Sequence, residues 1–407
     1  MALAIPSSSL KPVQTKTSAA ASGPAPIRVM VVDDSAVVRG LVSRWVGEEG
    51  DMEMVARHGN GAKAVEDVAK SQPDIIVLDV EMPVMDGLEA LPLLLKKHPG
   101  VKIIMASTLT QRNAEISMKA LSLGATDYVP KPDSNSGLTT SASFRRDLLS
   151  RIRSLGGARR RAPVQPSGSS PGRAGSSLTT ARAGAVRTSP QTATPSATKS
   201  GASSSTSISL RPFSSVPPRI LLVGSSTGGP QALTKLFTAI GPHIGNVPVL
   251  VTQHMPATFT TILAKNLGSV SKRPAAEAQQ GELIKAGTIY VAPGGWHMRL
   301  KAAAGGGAQI ALDQGPEINF CRPAVDPMFE SAARIYRGAI LSTILTGMGQ
   351  DGAKGAEVIA RAGGSVIAQD EATSVVWGMP GAAAQAGICS AVLPLNEIGP
   401  KINNLLK

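Results

Sequence analysis

Cysteine is almost missing from this chain: Cys321 and Cys389 are the only two in 407 residues. So small a supply excludes a disulfide-stapled scaffold, offers no metal-ligand spacing and suits a reducing cytosol. Long apolar runs are missing too. None approaches the roughly 20 residues that a bilayer span needs, and Met-Ala-Leu-Ala-Ile is too short for a signal-peptide core. Residues 1–26 lack any acid but also any arginine, and read as a disordered tail rather than a transit peptide. The expectation is a soluble, cytoplasmic protein, with no membrane insertion. Acids are also absent from 155–218, where Arg159, Arg160, Arg161, Arg173, Arg182, Arg187, Lys199 and Arg211 lie. With Lys11 and Lys16, these residues account for ten of the net +13. The basic character therefore sits in irregular segments, and the remaining sequence gives no sign of a fold that reads nucleic acid.

What is present is enough for two or three domains: 42% of the residues are hydrophobic. From 27 to 154, short apolar strands at 28–32, 52–56, 75–78, 102–105 and 127–129 alternate with amphipathic helices. Five such repeats predict a flavodoxin-like (βα)5 domain, a doubly wound parallel sheet whose ligands gather at strand C-terminal ends. Asp33 and Asp34 follow the first strand, Asp79 the third, Ser107 the fourth and Lys131 the fifth. Three carboxylates on one rim repel one another unless a cation lies among them, and magnesium suits oxygen ligands. Asp79 is then a candidate phosphoryl acceptor, with Ser107 and Lys131 placed to hold phosphoryl oxygens. Taken singly, each acid could merely cap a helix. Residues 155–217, mostly Ser, Gly, Ala, Pro, Thr and Arg, read as a flexible linker with a mean reach of about 45 Å.

From 218 to 407 a second α/β pattern follows, with strands expected at 220–223, 249–252, 288–291, 339–345 and 365–368 in a doubly wound, mostly parallel sheet. The first strand runs into Gly224-Ser225-Ser226-Thr227-Gly228-Gly229-Pro230, and a helical pattern covers 231–240. Gly224-x-Ser226-x-Gly228 fits a nucleophile elbow, which puts a hydroxyl near a helix N-terminus whose N–H groups favour an oxyanion. The same stretch also fits an ordinary N-cap or a phosphate cradle. No Lys-Ser/Thr pair follows the glycines, which argues against a nucleotide P-loop. Histidine is scarce. His58 and His98 fall in the first domain and His243 in a turn, so His254 in Gln253-His254-Met255-Pro256 is the foremost partner for Ser226, with His297 in competition. Asp351, in Leu345-Thr346-Gly347-Met348-Gly349-Gln350-Asp351-Gly352, could orient an imidazole or cap a helix, and Asp326 competes for that role.

Two resemblances follow. Val-Val-Asp33-Asp34-Ser, Leu-Asp79-Val-Glu-Met-Pro-Val-Met-Asp-Gly and Val-Pro-Lys131-Pro resemble the response-regulator receiver domain. That likeness implies phosphorylation of Asp79 by a histidine kinase, Mg²⁺ on Asp33, Asp34 and Asp79, and a switch role for Ser107, Tyr128 and Lys131. Gly-Ser-Ser226-Thr-Gly-Gly, Gln-His254-Met-Pro and Leu-Thr-Gly-Met348-Gly-Gln-Asp351-Gly-Ala, behind a receiver, resemble the chemotaxis protein-glutamate methylesterase (CheB) family. The order Ser, His, Asp differs from that of the α/β-hydrolases. The resemblance implies hydrolysis of glutamate γ-methyl esters on methyl-accepting chemotaxis receptors, with deamidation of receptor glutamines, by a monomer needing no cofactor for the esterase step. It assigns Ser226 as nucleophile, His254 as base and acid and Asp351 as orienting acid, with backbone N–H groups near Thr227 and Met348 at the oxyanion. It also implies that the unphosphorylated receiver covers the catalytic rim. The competing readings are a DNA-binding output, which the missing helix-turn-helix pattern disfavours, and a receiver-controlled, non-catalytic receptor-binding adaptor.

Overall fold

The computed structural model describes residues 25–108, 110–131, 138–161 and 208–407. The tail at 1–24 and the central stretch at 162–207, read from sequence as a disordered tail and a linker, lie outside the described residues. The N-terminal part runs β1 (Ile27–Val32), α1 (Ala36–Gly47), β2 (Met52–His58), α2 (Gly61–Ser71), β3 (Ile75–Asp79), α3 (Gly87–Lys97), β4 (Lys102–Ser107), α4 (Gln111–Ser122), β5 (Asp127–Pro130) and α5 (Leu138–Arg161). Its strands are parallel in the order β2-β1-β3-β4-β5. The inner strands β1, β3 and β4 are rich in Val, Ile, Leu and Met because helices cover both faces, whereas the edge strands β2 and β5 are mixed. Ser35, Asn60, Asp86 and Thr110 cap α1 to α4, as short polar residues do where the first turn leaves N–H groups unpaired.

The C-terminal part runs β6 (Ile220–Ser225), α6 (Gly229–Ile240), β7 (Val249–Gln253), α7 (Ala257–Ser271), β8 (Ala275–Glu277), β9 (Ile289–Val291), β10 (His297–Ala302), β11 (Ala308–Asp313), α8 (Val325–Tyr336), β12 (Ile340–Ile344), α9 (Ala353–Arg361), β13 (Ser365–Gln369), α10 (Met379–Gln385), β14 (Ala391–Leu393) and α11 (Leu395–Leu405). Seven strands form a parallel sheet, β14-β13-β12-β6-β7-β9-β8, and β10 pairs with β11 as an antiparallel hairpin. The chain leaves β6 toward β7 on one side and later returns as β12 on the other, which opens a crevice between the C-terminal ends of β6 and β12.

Sequence periodicity foresees five of these nine strands. The edge strands β8 and β14 are only three residues long, and a three-glycine turn hides the hairpin. The stretch read as a linker is also shorter at both ends than composition suggests. Leu155 is buried and continues the apolar stripe of Leu148 and Ile152, so α5 runs on to Arg161. At the far end, Arg211 N–H bonds to Cys389 O at 2.8 Å and Ser214 N–H to Ser365 Oγ at 2.9 Å. Among the described residues, no helix is long and apolar enough to cross a membrane.

Candidate active site and receiver contact

Ser226 leaves the end of β6 and enters a turn closed by Gly228, whose φ of 75° and contact with Val375 leave no room for a side chain. Gly228, not a serine, is the N-cap of α6, and no side chain bonds that helix end. The Ser226 hydroxyl is thus not spent on capping. Its backbone is clamped on both sides. Its N–H donates to Thr346 O at 3.0 Å, and its carbonyl accepts from Gly229 N–H at 2.7 Å and Gln253 Nε2 at 2.9 Å.

One strand over, His254 donates its N–H to Ser225 O at 3.2 Å, which puts it on the same rim as Ser226. Its Nε2 lies 2.7 Å from Asp351 Oδ2. Asp351 is not a helix cap either, because Gly352 takes that place at α9. Its oxygens instead accept N–H bonds from Val325 (2.6 Å) and Asp326 (3.2 Å). A carboxylate accepts only, so it fixes the ring proton on Nε2 and leaves Nδ1 as the basic nitrogen. Burial opposes the charged imidazolium, but the neighbouring Cys321 and Asp351 outweigh it and raise His254 to about 10. Burial also acts on Asp351, where the bond to His254 wins and its pKa is lowered.

The two competitors serve the scaffold. His297 uses both ring nitrogens, on Pro316 O and Ala324 N–H, and Asp326 caps the start of α9 through Gly355 N–H at 2.7 Å. Among the described residues, the N–H groups of Ser226 and Gly347 are taken by Thr346 O and Val376 O, whereas those of Thr227 and Met348 meet no acceptor. No hydrogen bond joins Ser226 Oγ to His254. The position facing Nδ1 is held by a residue that sequence reasoning passed over, Cys321, with Sγ at 3.3 Å. The one sequence hint was that one of only two cysteines falls five residues before Asp326.

Gly347 forms the far wall. A Cβ there would lie 2.4 Å from Met379 Sδ and 2.8 Å from Ser226 Cβ. Gly347→Ala is therefore expected to lower stability by about 1–3 kcal/mol and to slow labelling of Ser226 by a serine-reactive phosphonate about 100-fold. Thermal melts and a labelling time course check both.

In the N-terminal part, Asp33, Asp34 and Asp79 converge so that one oxygen of each lies within 4.8 Å of the others. Lys131 Nζ sits 2.7 Å from both Asp33 and Asp79. Burial lifts Asp79 to about 6, helped by the charge of Asp33 and opposed by Lys131. Ser107 Oγ bonds to Ser117 Oγ at 3.0 Å. A trio of hard oxygen donors with one exposed member, Asp34, fits Mg²⁺.

The two parts meet beside the crevice, where α4 and β5 lie against α6 and α7. Tyr128 stacks on Phe259 with centroids 4.2 Å apart. Asp127, paired with Arg151, also accepts from Thr227 Oγ1 at 2.9 Å, and Gln231 Nε2 donates to Leu121 O and Ala125 O. Val376 joins the apolar cluster of Phe144, Leu148 and Leu149, and Met348 packs against that cluster. Ser226 and the side chain of His254 are each left 9% exposed.

Comparison with known proteins gives the family of each part. The response regulator receiver domain family matches residues 29–143, and the CheB methylesterase family matches 221–402. A protein-glutamate methylesterase/protein-glutamine glutaminase of Bradyrhizobium diazoefficiens is 56% identical over 96% of each chain. One from Rhodopseudomonas palustris is 55% identical over 93% of this chain and 94% of its own. The solved catalytic domain of Thermotoga maritima CheB methylesterase is 43% identical, covering 47% of this chain and all of its own, with a TM-score of 0.45. With a receiver joined to a serine, histidine and aspartate rim, the chain belongs to the protein-glutamate methylesterase/protein-glutamine glutaminase family.

Proposed function

We propose that the chain hydrolyses γ-methyl esters of glutamate on methyl-accepting chemotaxis receptors in the cytoplasm and releases methanol. The single observation carrying this reading is the His254–Asp351 pair at the crevice that Ser226 enters. Ser226 Oγ attacks the ester carbonyl while His254 Nδ1 takes its proton. The N–H groups of Thr227 and Met348 receive the oxyanion, and the imidazolium returns the proton to departing methanol. Water, activated by the same nitrogen, then frees the glutamate and restores the serine. A glutamine side chain enters the same sequence with ammonia as leaving group, which gives the glutaminase activity. No step calls for a cofactor.

Control belongs to the receiver. Asp79 accepts the phosphoryl group from a histidine kinase, Asp33, Asp34 and Asp79 would hold a Mg²⁺ ion that would offset phosphoryl charge, and Lys131 and Ser107 steady the new oxygens. A charge of about −2 at Asp79 then biases Tyr128 and the face formed by α4, β5 and α5 away from α6 and α7. The contacts of Tyr128 with Phe259, and of Asp127 with Thr227, support an inhibitory docking.

The test is methanol release from a methylated receptor. Deleting residues 1–207 is expected to raise the basal rate about tenfold or more, the size of an ordinary allosteric coupling. Asp79→Asn in the full chain is expected to keep the basal rate and lose all activation by a small-molecule phosphodonor. A basal rate unmoved by the deletion overturns the coverage.

A further inference from the structure

The proton from Ser226 can go only to Nδ1 of His254, because Asp351 occupies Nε2. In the docked arrangement that nitrogen faces Cys321 Sγ at 3.3 Å instead. The thiol is delivered by a small closed loop. Ile318 and Cys321 exchange both backbone N–H bonds (3.1 and 2.9 Å), and the tip residues Asn319 and Phe320 hold φ of 52° and 62°, a region that residues with a side chain enter at a cost. Phe320, 74% exposed, finds its partner on the receiver, where the Arg146 guanidinium of α5 lies over its ring at 4.8 Å. One loop thus touches the receiver at Phe320 and the base at Cys321.

We propose that Cys321 is a positioning residue of the esterase: while the receiver is docked, the loop gripped by Arg146 keeps the sulfur on Nδ1 of His254 and so withholds the base from Ser226. This rests on the esterase reading above and adds a second layer to coverage. The hold is an ion pair: the thiol passes its proton to Nδ1, and the thiolate stabilises an imidazolium that cannot act as a base. The charged and titratable groups that face the imidazole are Asp351 from the loop before α9 and Cys321 from the loop before α8, with Asp326 behind Asp351. Of these, only Cys321 contacts the nitrogen that must receive the proton.

The experiment compares wild type, Cys321→Ser, Cys321→Ala and Arg146→Ala as full chains, with and without a small-molecule phosphodonor. In the unphosphorylated state, Cys321→Ala is expected to move the acidic limb of the pH–kcat profile down by at least about one unit. That raises kcat at pH 7 roughly tenfold, with KM changed less than about twofold. Cys321→Ser, close in size, removes the charge while keeping a donor and is expected to give a smaller shift in the same direction, which separates the effect from lost packing. Arg146→Ala is expected to reproduce part of it. In the phosphorylated state the four proteins should converge. An unmoved limb, or an equal fall of kcat in both states, overturns the proposal. An NMR titration of His254 in labelled protein reads the contact without any turnover: a pKa unchanged by Cys321→Ala refutes the hold, and a lowered one supports it. Wild type that hydrolyses no ester in any state would defeat the esterase reading instead, and the titration would still decide the Cys321 contact.

Discussion

Ser226→Ala is expected to lower methanol release from methylated receptor by at least about 10⁴-fold, to the level set by the oxyanion donors and substrate binding alone. The size follows from what the hydroxyl does. Removing it leaves His254 with no nucleophile to activate except water, and no acyl-enzyme forms. The fold should be indifferent to the change. Ser226 is held through its backbone, by Thr346, Gly229 and Gln253, and α6 is capped by Gly228. An unchanged melting temperature beside an abolished rate therefore separates chemistry from structure. Stoichiometric labelling of the wild type by a serine-reactive phosphonate, lost in the variant, also separates the enzyme from a receptor-binding adaptor. Residual methanol release at the wild-type rate would remove Ser226 from the mechanism.

Residues whose chemistry is tied to a strand end were legible in the sequence, because a parallel sheet brings every strand's carboxyl end to one rim wherever its strands fall in order. Asp33, Asp34 and Asp79 could be grouped this way, and so could Ser226, His254 and Asp351. Doubt over capping resolved only in three dimensions: both serine and aspartate could have capped helices, and glycines do it instead. Beyond its nearness to Asp326 in the chain, the local pattern does not point to Cys321. It lies on an irregular loop whose path is set by pairing between Ile318 and Cys321 and by an anchor at Arg322, whose guanidinium bonds to Gln314 O and Gly315 O. The docking of the two sheets was equally hidden. Tyr128 and Phe259 are 131 positions apart, and the switch role that the receiver resemblance implies for Tyr128 does not say which side chain it meets.

The most demanding test of the site is Asp351→Asn, for which kcat is expected to fall about 10⁴-fold. This carboxylate accepts hydrogen bonds from His254 Nε2 and Val325 N–H on one oxygen and from Asp326 N–H on the other, with the Asp326 carboxyl beside it. An amide must turn its NH₂ toward one of these oxygen positions. In one orientation it opposes His254 and Val325, in the other Asp326, so a buried donor loses its acceptor at about 1–3 kcal/mol. The imidazole then loses both its tautomer lock and its counter-charge, and Nδ1 becomes a weaker base whatever occupies it. Linkage gives the change a second signature. His254, raised to about 10, contributes stability that is complete below its unfolded value of about 6.5 and fades as pH climbs toward 10. Asp351, lowered, contributes stability present above its unfolded value of about 3.9 and lost as pH falls below it. Asp326 works in the opposite sense. Burial and the charge of Asp351 lift it to about 6, so its ionisation weakens the fold above about pH 4, a cost that Asp351→Asn relieves in part. Wild type should therefore lose stability from pH 6.5 toward 10 more steeply than Asp351→Asn, because the variant keeps only the Cys321 contact and has lost the carboxylate that holds the imidazolium at Nε2. Parallel slopes for the two proteins over that interval would show that His254 does not carry its charge against Asp351.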